Sequence, residues 1–311
     1  MIICCGEALV DMIPMQGLNG GLRGEQVYAP LAGGALLNTA VALGRLGVNA
    51  GMISGISTDL FGELLVSALK DSNVCTDFLI RSPSPTTLAF VALNNGQASY
   101  TFYDENSAGR KIEEASLPIL PDAVSTLYFG GISLISEPGA HAYCALAERE
   151  HKKRIIVLDP NIRTSFIEDE KGYRARLARV MALADIIKVS DEDLDWLIPE
   201  QMKQADKVAS LGGDSCLVIL TKGSEGATAY LPNGKVLSQA VPIVDVVDTV
   251  GAGDTFNAGF MAKLLALGQL NKADLRHVHE TAIQEALLYA VQVSAVTVSR
   301  AGANPPWVSE L

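Results

Sequence analysis

The chain has 311 residues, 49% of them hydrophobic, enough to build one large α/β domain or two small ones around a sizeable core. Its formal net charge of −11 argues against a nucleic-acid partner, which would need a basic surface. Five cysteines (Cys4, Cys5, Cys75, Cys144, Cys216) are odd in number and lack CxxC spacing, which excludes a disulfide framework and suits a reducing compartment.

The N-terminus MIICCGEALVDMI is apolar but has no basic start, so it reads as a strand rather than a signal peptide. Along the chain, short β-branched runs at 2–5, 48–53, 126–129, 155–158, 186–189, 216–221 and 228–231 read as strands. Helical patterns lie between them at 37–46, 61–70, 139–151, 173–183, 191–197 and 203–211, and helices at 255–267 and 273–292 close the chain. This alternation predicts a mostly parallel sheet covered by helices on both faces, with ligands at the carboxyl ends of the strands. Asp11, Asp159, Ser190, Thr221 and Asp248 all follow predicted strands. No apolar run reaches membrane-spanning length, and the chain is expected to be soluble and cytoplasmic. The histidines (His141, His151, His277, His279) lie on polar helical stretches, which speaks against a structural metal site.

Two runs, 86–93 and 98–104, alternate with period two around Asn94-Asn95-Gly96, the mark of a hairpin. With a short extended piece at 26–31 they predict a small antiparallel sheet bearing Phe90, Tyr100, Phe102 and Tyr103. It reads as a lid over a water-sensitive site, as a plain sheet extension, or as a dimer surface. We expect one domain with a discontinuous lid at about 13–32 and 85–112.

The segment 248–260, DTVGAGDTFNAGF, is the most telling. A strand-like run at 240–247 ends in Asp248; Gly251, Ala252 and Gly253 follow, then Asp254 and an amphipathic helical run through Phe256, Phe260, Leu264 and Leu267. Small residues at such a turn let backbone N–H groups and the helix dipole converge on an anion. Asp254 beside them suits the proton acceptor for an attacking hydroxyl, although an Asp in a first turn also serves as a plain cap. The lysine of a Walker A loop is absent, and Phe256 replaces the third glycine of a dinucleotide fingerprint.

Other constellations are weaker singly. Gly33-Gly34 before a helix carrying Asn38 suits a polyhydroxylated ligand or a tight turn. Asp11 suits vicinal hydroxyls or a turn. Arg163 in DPNIR suits phosphate or a surface position. The acidic end of Lys188-x-Ser190-x-x-Asp193 suits hydrated Mg²⁺ or helix-start charge. The Gly-rich stretch at Thr221, Gly223 and Gly226 suits a nucleotide or a hairpin turn.

Taken together, AGGALLNTAVALGRLG (32–47) and DTVGAGDTFNAGF resemble the PfkB-type, ribokinase-like carbohydrate kinases over essentially the whole chain. The resemblance implies a three-layer α/β/α sandwich with a β-lid. It implies Asp254 as general base and Gly251, Ala252 and Gly253 as anion hole. Asp11, Gly33, Gly34, Asn38, Phe102 and Arg163 fall on the sugar side; Lys188, Ser190, Thr221, Gly223, Gly226 and Gly253 fall on the ATP side. Asp248 and Val250, with carbonyls near Ser299 to Gly302, look like a monovalent-cation (K⁺) loop, with Mg²⁺ arriving on ATP and Asp193 reaching it through water. GEALVDMIP, TFYDENSAGR, DPNIR and KVSDEDL look most like bacterial fructokinases, which act on the 6-hydroxyl of fructose; a homodimer through the lid is compatible. Leu36-Leu37 and Asp104 depart from the family pattern, and a carboxylate at 104 disfavours an acidic sugar. Other acceptors stay open: 2-keto-3-deoxygluconate, ribose or a nucleoside. So do a non-catalytic regulator and an NAD-dependent oxidoreductase, against which the intact Gly-x-Gly-Asp and the defective GxGxxG argue.

Overall fold

Strands made of buried, mostly β-branched residues build the frame of the molecule. The computed structural model describes residues 1–15, 26–94, 97–213 and 215–311. In chain order these form β1 (Ile2–Cys5), β2 (Leu9–Pro14), β3 (Tyr28–Gly33), α1 (Ala35–Arg45), β4 (Ala50–Ile53), β5 (Gly55–Ser57), α2 (Leu60–Asp71), β6 (Ile80–Ser82), β7 (Leu88–Asn94) and β8 (Gln97–Tyr103). Then follow β9 (Thr126–Gly130), α3 (Gly139–Glu150), β10 (Ile155–Asp159), α4 (Glu170–Met181), β11 (Ile186–Ser190), α5 (Asp191–Leu197), α6 (Gln204–Ala209), β12 (Leu217–Thr221), β13 (Ala227–Tyr230), β14 (Val236–Gln239), α7 (Ala252–Ala266) and α8 (Glu280–Val298).

The main sheet runs β14-β13-β12-β11-β10-β9-β1-β4. Its strands are parallel except for β13 and β14, which join antiparallel at one edge. Alternate residues feed two separate cores. Ile2, Cys4, Ile155, Val157, Leu217 and Ile219 pack under α1, α2, α7 and α8. Ile3, Cys5, Ile156, Leu158, Ile187 and Val218 pack under α3 and α4. Two buried faces explain why these strands read as continuous apolar runs rather than alternating ones. The fold is the expected ribokinase-like α/β sandwich.

The smaller sheet runs β3-β2-β7-β8. Its β2/β3 and β7/β8 pairs are antiparallel as expected, but β2 and β7 pair in parallel. The centre of the expected hairpin turn, Asn95-Gly96, and residues 16–25 of the expected lid lie outside the described residues. A two-stranded parallel pair, β5 with β6, is too short to leave a sequence pattern.

Several expectations are corrected. Residues 240–247 form no strand; they run extended and mostly exposed into α7. Pro242 lacks an N–H, and among the described residues the hydrogen bonds from this stretch's end to a helix are those the Val247 and Asp248 amides donate to Val298 O (2.8 and 3.2 Å), while Val241 packs against the core. Asp248 therefore follows no strand, and Asp11 sits inside β2 rather than after β1. Helix α7 is buried nearly all round rather than amphipathic, because it lies between α1 and α8. The closing helix begins at Glu280 and runs to Val298, so α8 is shifted from the expected 273–292. Against the expectation that no run is long enough, α8 has the length and apolarity to cross a membrane; half of that window is buried inside the protein, against α7, β13 and β14.

Candidate active site

The strand ends and the start of α7 meet at one edge of the main sheet. Gly251 caps α7 in a left-handed conformation (φ 77°), with no side chain capping the helix. A Cβ there would collide with Ala303, so glycine is required on two counts. The Ala252 amide turns back to Thr249 O (3.2 Å). The Gly253 and Asp254 amides have no intrahelical partner, as first-turn N–H groups do not. Uncapped amides and the helix dipole are an arrangement that attracts an anion, so this turn is a candidate anion cradle.

Asp254 is the third residue of this helix and is buried. The Asn38 side-chain amide donates to its Oδ2 (2.9 Å), and Thr39 Oγ1 donates to its backbone carbonyl (3.2 Å). Both partners come from α1, which Gly34 caps at φ 103°. Burial pushes the Asp254 carboxyl up to about 6; the Asn38 hydrogen bond opposes this, and the Asp159 charge adds to it. The result is a carboxylate ionised at neutral pH yet basic enough to take a proton.

A cleft of about 330 Å³ opens in front of Asp254. It is lined by Asp11, Gly34, Asn38, Phe102, Arg163, Lys188, Val250 and Gly251 through Asp254, all of them expected site residues. Gly33 lies just behind: a Cβ there would collide with Asp11 Oδ2. Gly33→Ala is therefore expected to displace Asp11; if Asp11 holds the sugar that the family resemblance implies, KM for that sugar should rise about tenfold or more, read from steady-state ADP release. Burial, helped by the Asp254 charge, pushes Asp11 up to about 6. Phe102 packs edge-on against Phe166 (4.3 Å between centroids). The Arg163 guanidinium donates to Ile162 O (3.1 Å) and faces the cleft.

Beneath the anion cradle lies a buried polar cluster. Lys188 Nζ donates to Asp159 Oδ2 (3.0 Å), with the two side chains 7% and 1% exposed. Asn257 Nδ2, one turn along α7 from Asp254, donates to the same oxygen (2.7 Å) and lies 2.9 Å from Tyr128 Oη. A Cβ on Gly253 would lie 3.3 Å from Lys188 Nζ, which puts the ammonium beside the helix start.

The remaining expected residues lie outside this cleft. Ser190 and Thr221 end β11 and β12 side by side. Gly223 and Gly226 follow at φ 48° and 106°, and a Cβ on Gly226 would collide with Gln239 O. Asp193 completes a capping box on α5, its Oδ1 accepting from Ile162 N (2.9 Å) and its Oδ2 from Ser190 N (3.4 Å). Asp248 accepts from Val250 N (3.0 Å) and Gly302 N (2.9 Å), tying the two loops of the expected cation site together. Among the described residues no group of three or more His, Cys, Asp or Glu could hold a metal. Leu36 and Leu37 are buried in the core and do not line the cleft. Asp104 does not line it either. Its Oδ1 accepts from Thr87 and Ser107 (both 2.8 Å) in a separate small cavity, so its supposed influence on sugar choice is withdrawn.

Sequence reasoning missed Glu7, Leu9, Ala35, Gly131, Ile132, Asn161 and Thr249, which also line the cleft. Glu7 carried a signal, an acid two residues past the first strand.

Comparison with known proteins fits this geometry. A family model described as pfkB family carbohydrate kinase matches residues 1–310. The chain belongs to the pfkB family of carbohydrate kinases. This kinase is 48% identical over 286 residues to a fructokinase of Rhizobium leguminosarum bv. trifolii, covering 91% of this chain and 86% of the relative. Among solved structures it resembles a fructokinase with bound ATP from Xylella fastidiosa (TM-score 0.85, 26% identity, 99% of this chain and 96% of that one). It also resembles a Vibrio cholerae O395 fructokinase in its fructose, ADP and calcium ion bound form (TM-score 0.82, 25% identity, 97% and 94%).

Proposed function

We propose that this carbohydrate kinase transfers the γ-phosphoryl group of ATP to the 6-hydroxyl of fructose, giving fructose 6-phosphate and ADP. The observation that carries the reading is the Asp254 carboxylate held beside uncapped amides at the floor of the cleft. The 48% relative favours fructose as acceptor. Asp254 takes the hydroxyl proton, and the amides of Gly253 and Asp254 with the α7 dipole receive the transferring charge; the expected Ala252 amide is already engaged by Thr249 O. Asp11, Gly33, Gly34, Asn38, Phe102 and Arg163 hold the sugar. Lys188 steadies phosphate oxygens, while Ser190, Thr221, Gly223 and Gly226, at the neighbouring strand ends, receive the rest of the nucleotide.

Mg²⁺ would supply charge neutralisation on the phosphates of ATP. The donors present fit an ion carried mainly by the nucleotide: both Asp193 oxygens are engaged by backbone amides, which leaves contact through water. K⁺ would be held by the loop that Asp248 joins, through backbone carbonyls near Val250 and 299–302, since both Asp248 oxygens are taken by amides.

The sheet β3-β2-β7-β8, whose strands lie at 9–14, 28–33, 88–94 and 97–103, acts as the lid of a single domain. Asp11 and Phe102 belong to its cleft side. Tyr28, Phe90 and Tyr103 stack edge-to-face in a row on the sheet (5.2 and 5.6 Å), a surface on which a second copy would fit. We place the enzyme in the cytoplasm, where ATP is supplied.

The test is ADP release by the purified protein with ATP, Mg²⁺ and K⁺ against fructose, ribose, adenosine, glucose and 2-keto-3-deoxygluconate. Fastest turnover on fructose is expected. Turnover confined to another acceptor would overturn the substrate and leave the base and anion hole standing.

A further inference from the structure

One cleft residue stands apart from the groups assigned above. Glu7 follows β1, and its side chain is held from two sides. Its Oε1 accepts the amide of Ala35, the first residue of α1 (3.2 Å), and its Oε2 accepts the amide of Ser133 (3.3 Å). Two glycines with positive φ make room for it. A Cβ on Gly131 (φ 62°) would collide with the Glu7 carboxylate, and one on Gly34 (φ 103°) would lie 3.2 Å from Glu7 Cγ. Glu7 lines the main cleft and, behind it, a second cavity of about 30 Å³, the room of one water, that also meets Thr87, Asp104, Arg110 and Tyr143.

The Glu7 amide and the Ser133 hydroxyl also approach this carboxylate, which nonetheless borders the open cleft. A residue needed only as a brace would not require open space in front of it. Glu7 also completes a set of three acids on the cleft, with Asp11 and Asp254. Burial, with the Asp254 charge adding to it, pushes Glu7 up to about 7, so near neutral pH it both accepts and donates.

We infer that Glu7 is a sugar-contacting, specificity-determining residue. It binds a hydroxyl of the acceptor at the end of the cleft lined by Ala35, Gly131 and Ile132, and it favours a neutral polyol over a carboxylate-bearing sugar. A neutral hydroxyl satisfies the carboxyl whether or not it carries its proton, whereas an anionic end group would face three acids in one enclosed space. The inference rests on the sugar-kinase reading but not on fructose as the acceptor.

The test compares wild type, Glu7→Gln and Gly131→Ala by ADP release. Two acceptors are used: the neutral sugar of the panel that the wild type turns over fastest, and 2-keto-3-deoxygluconate. Glu7→Gln keeps the shape and removes the charge; Gly131→Ala keeps the charge and pushes the carboxylate aside. Both are expected to raise KM for the neutral sugar about ten- to a hundredfold. They should leave kcat within a few-fold and KM for ATP unchanged, and reduce the preference for the neutral over the acidic sugar at least tenfold. Melting temperature without ligand checks folding, and Gly131→Ala carries the test should Glu7→Gln not fold. A fall in kcat with sugar KM and preference unchanged would reduce Glu7 to a brace and overturn the inference, as would a wild type that prefers the acidic sugar. A wild type inactive on fructose but active on another neutral sugar overturns the substrate reading alone.

Discussion

Replacing Asp254 by Asn is expected to cut kcat about 10²- to 10⁴-fold, the range a positioned general base contributes, with KM for ATP little changed. The fold survives because Asn keeps an oxygen that can accept from Asn38 at 2.9 Å. A pH profile adds a second check. The base must be ionised to act, and its carboxyl is pushed up to about 6, mainly by burial. In wild type, kcat should therefore fall as pH drops through about 6; in the variant the part of that fall carried by Asp254 should be gone, and what remains belongs to Asp11 and Glu7. Stability moves the opposite way. Because the folded state raises this carboxyl from 3.8 to about 6, the folded protein favours the protonated form. The stability that goes with the proton is fully present below about 4 and is lost as pH rises through about 6. At neutral pH the wild type thus carries a buried charge that costs on the order of 2–3 kcal/mol, which the neutral Asn variant avoids. Asp254→Asn should also relieve Asp11 and Glu7, both of which the Asp254 charge pushes up. Thermal melts at pH 7.5 should show the variant at or above wild type. A variant as active as wild type would remove Asp254 from the chemistry.

The parts of this molecule that were legible in sequence are those where one physical cause dominates. β1, β9, β10, β11 and β12 are buried on both faces, so each reads as an apolar run bounded by polar residues, and each lies within a residue or two of its expected bounds. Gly251 and Gly34 announce themselves because their left-handed backbone admits little else. Residues 240–247 misled for a related reason. β-branched residues look like a strand wherever they occur, and nothing in one sequence reports that no neighbouring strand is there to pair. Glu7 escaped because a single acid near a strand end has many uses, and its meaning comes from Ala35 and Ser133, which are 28 and 126 residues away. The Asp159–Lys188–Asn257 cluster is likewise invisible in one dimension: its members sit on β10, β11 and α7 and meet only when the sheet is assembled. Asp104 shows the reverse error, a residue given a functional meaning from its motif that its position in another cavity does not support.

Asp159→Ala is expected to destabilise the protein by about 3–5 kcal/mol and to reduce turnover as well, because it leaves the buried Lys188 ammonium without its counter-charge. Burial alone would lower the Lys188 pKa, but the charge of Asp159, reinforced by Asp193, outweighs it and holds the lysine protonated. Without Asp159, Lys188 must shed its proton or swing away from Gly253; either way the positive charge beside the anion cradle is lost. The pair does not look optimised for stability. Asp159 Oδ1 is buried and has no hydrogen-bond partner among the described residues, a state that costs about 1–3 kcal/mol. An apolar pair of similar volume would avoid both costs. The double variant Asp159→Leu/Lys188→Met should therefore regain most of the stability lost by Asp159→Ala, measured as the urea midpoint, yet remain as poorly active as Lys188→Met alone. Recovery of stability without recovery of turnover would mean that the charge pair is kept for phosphoryl transfer. A double variant that recovers neither would show that the cluster holds the fold itself, through Asn257 and its contacts to Asp159 and Tyr128.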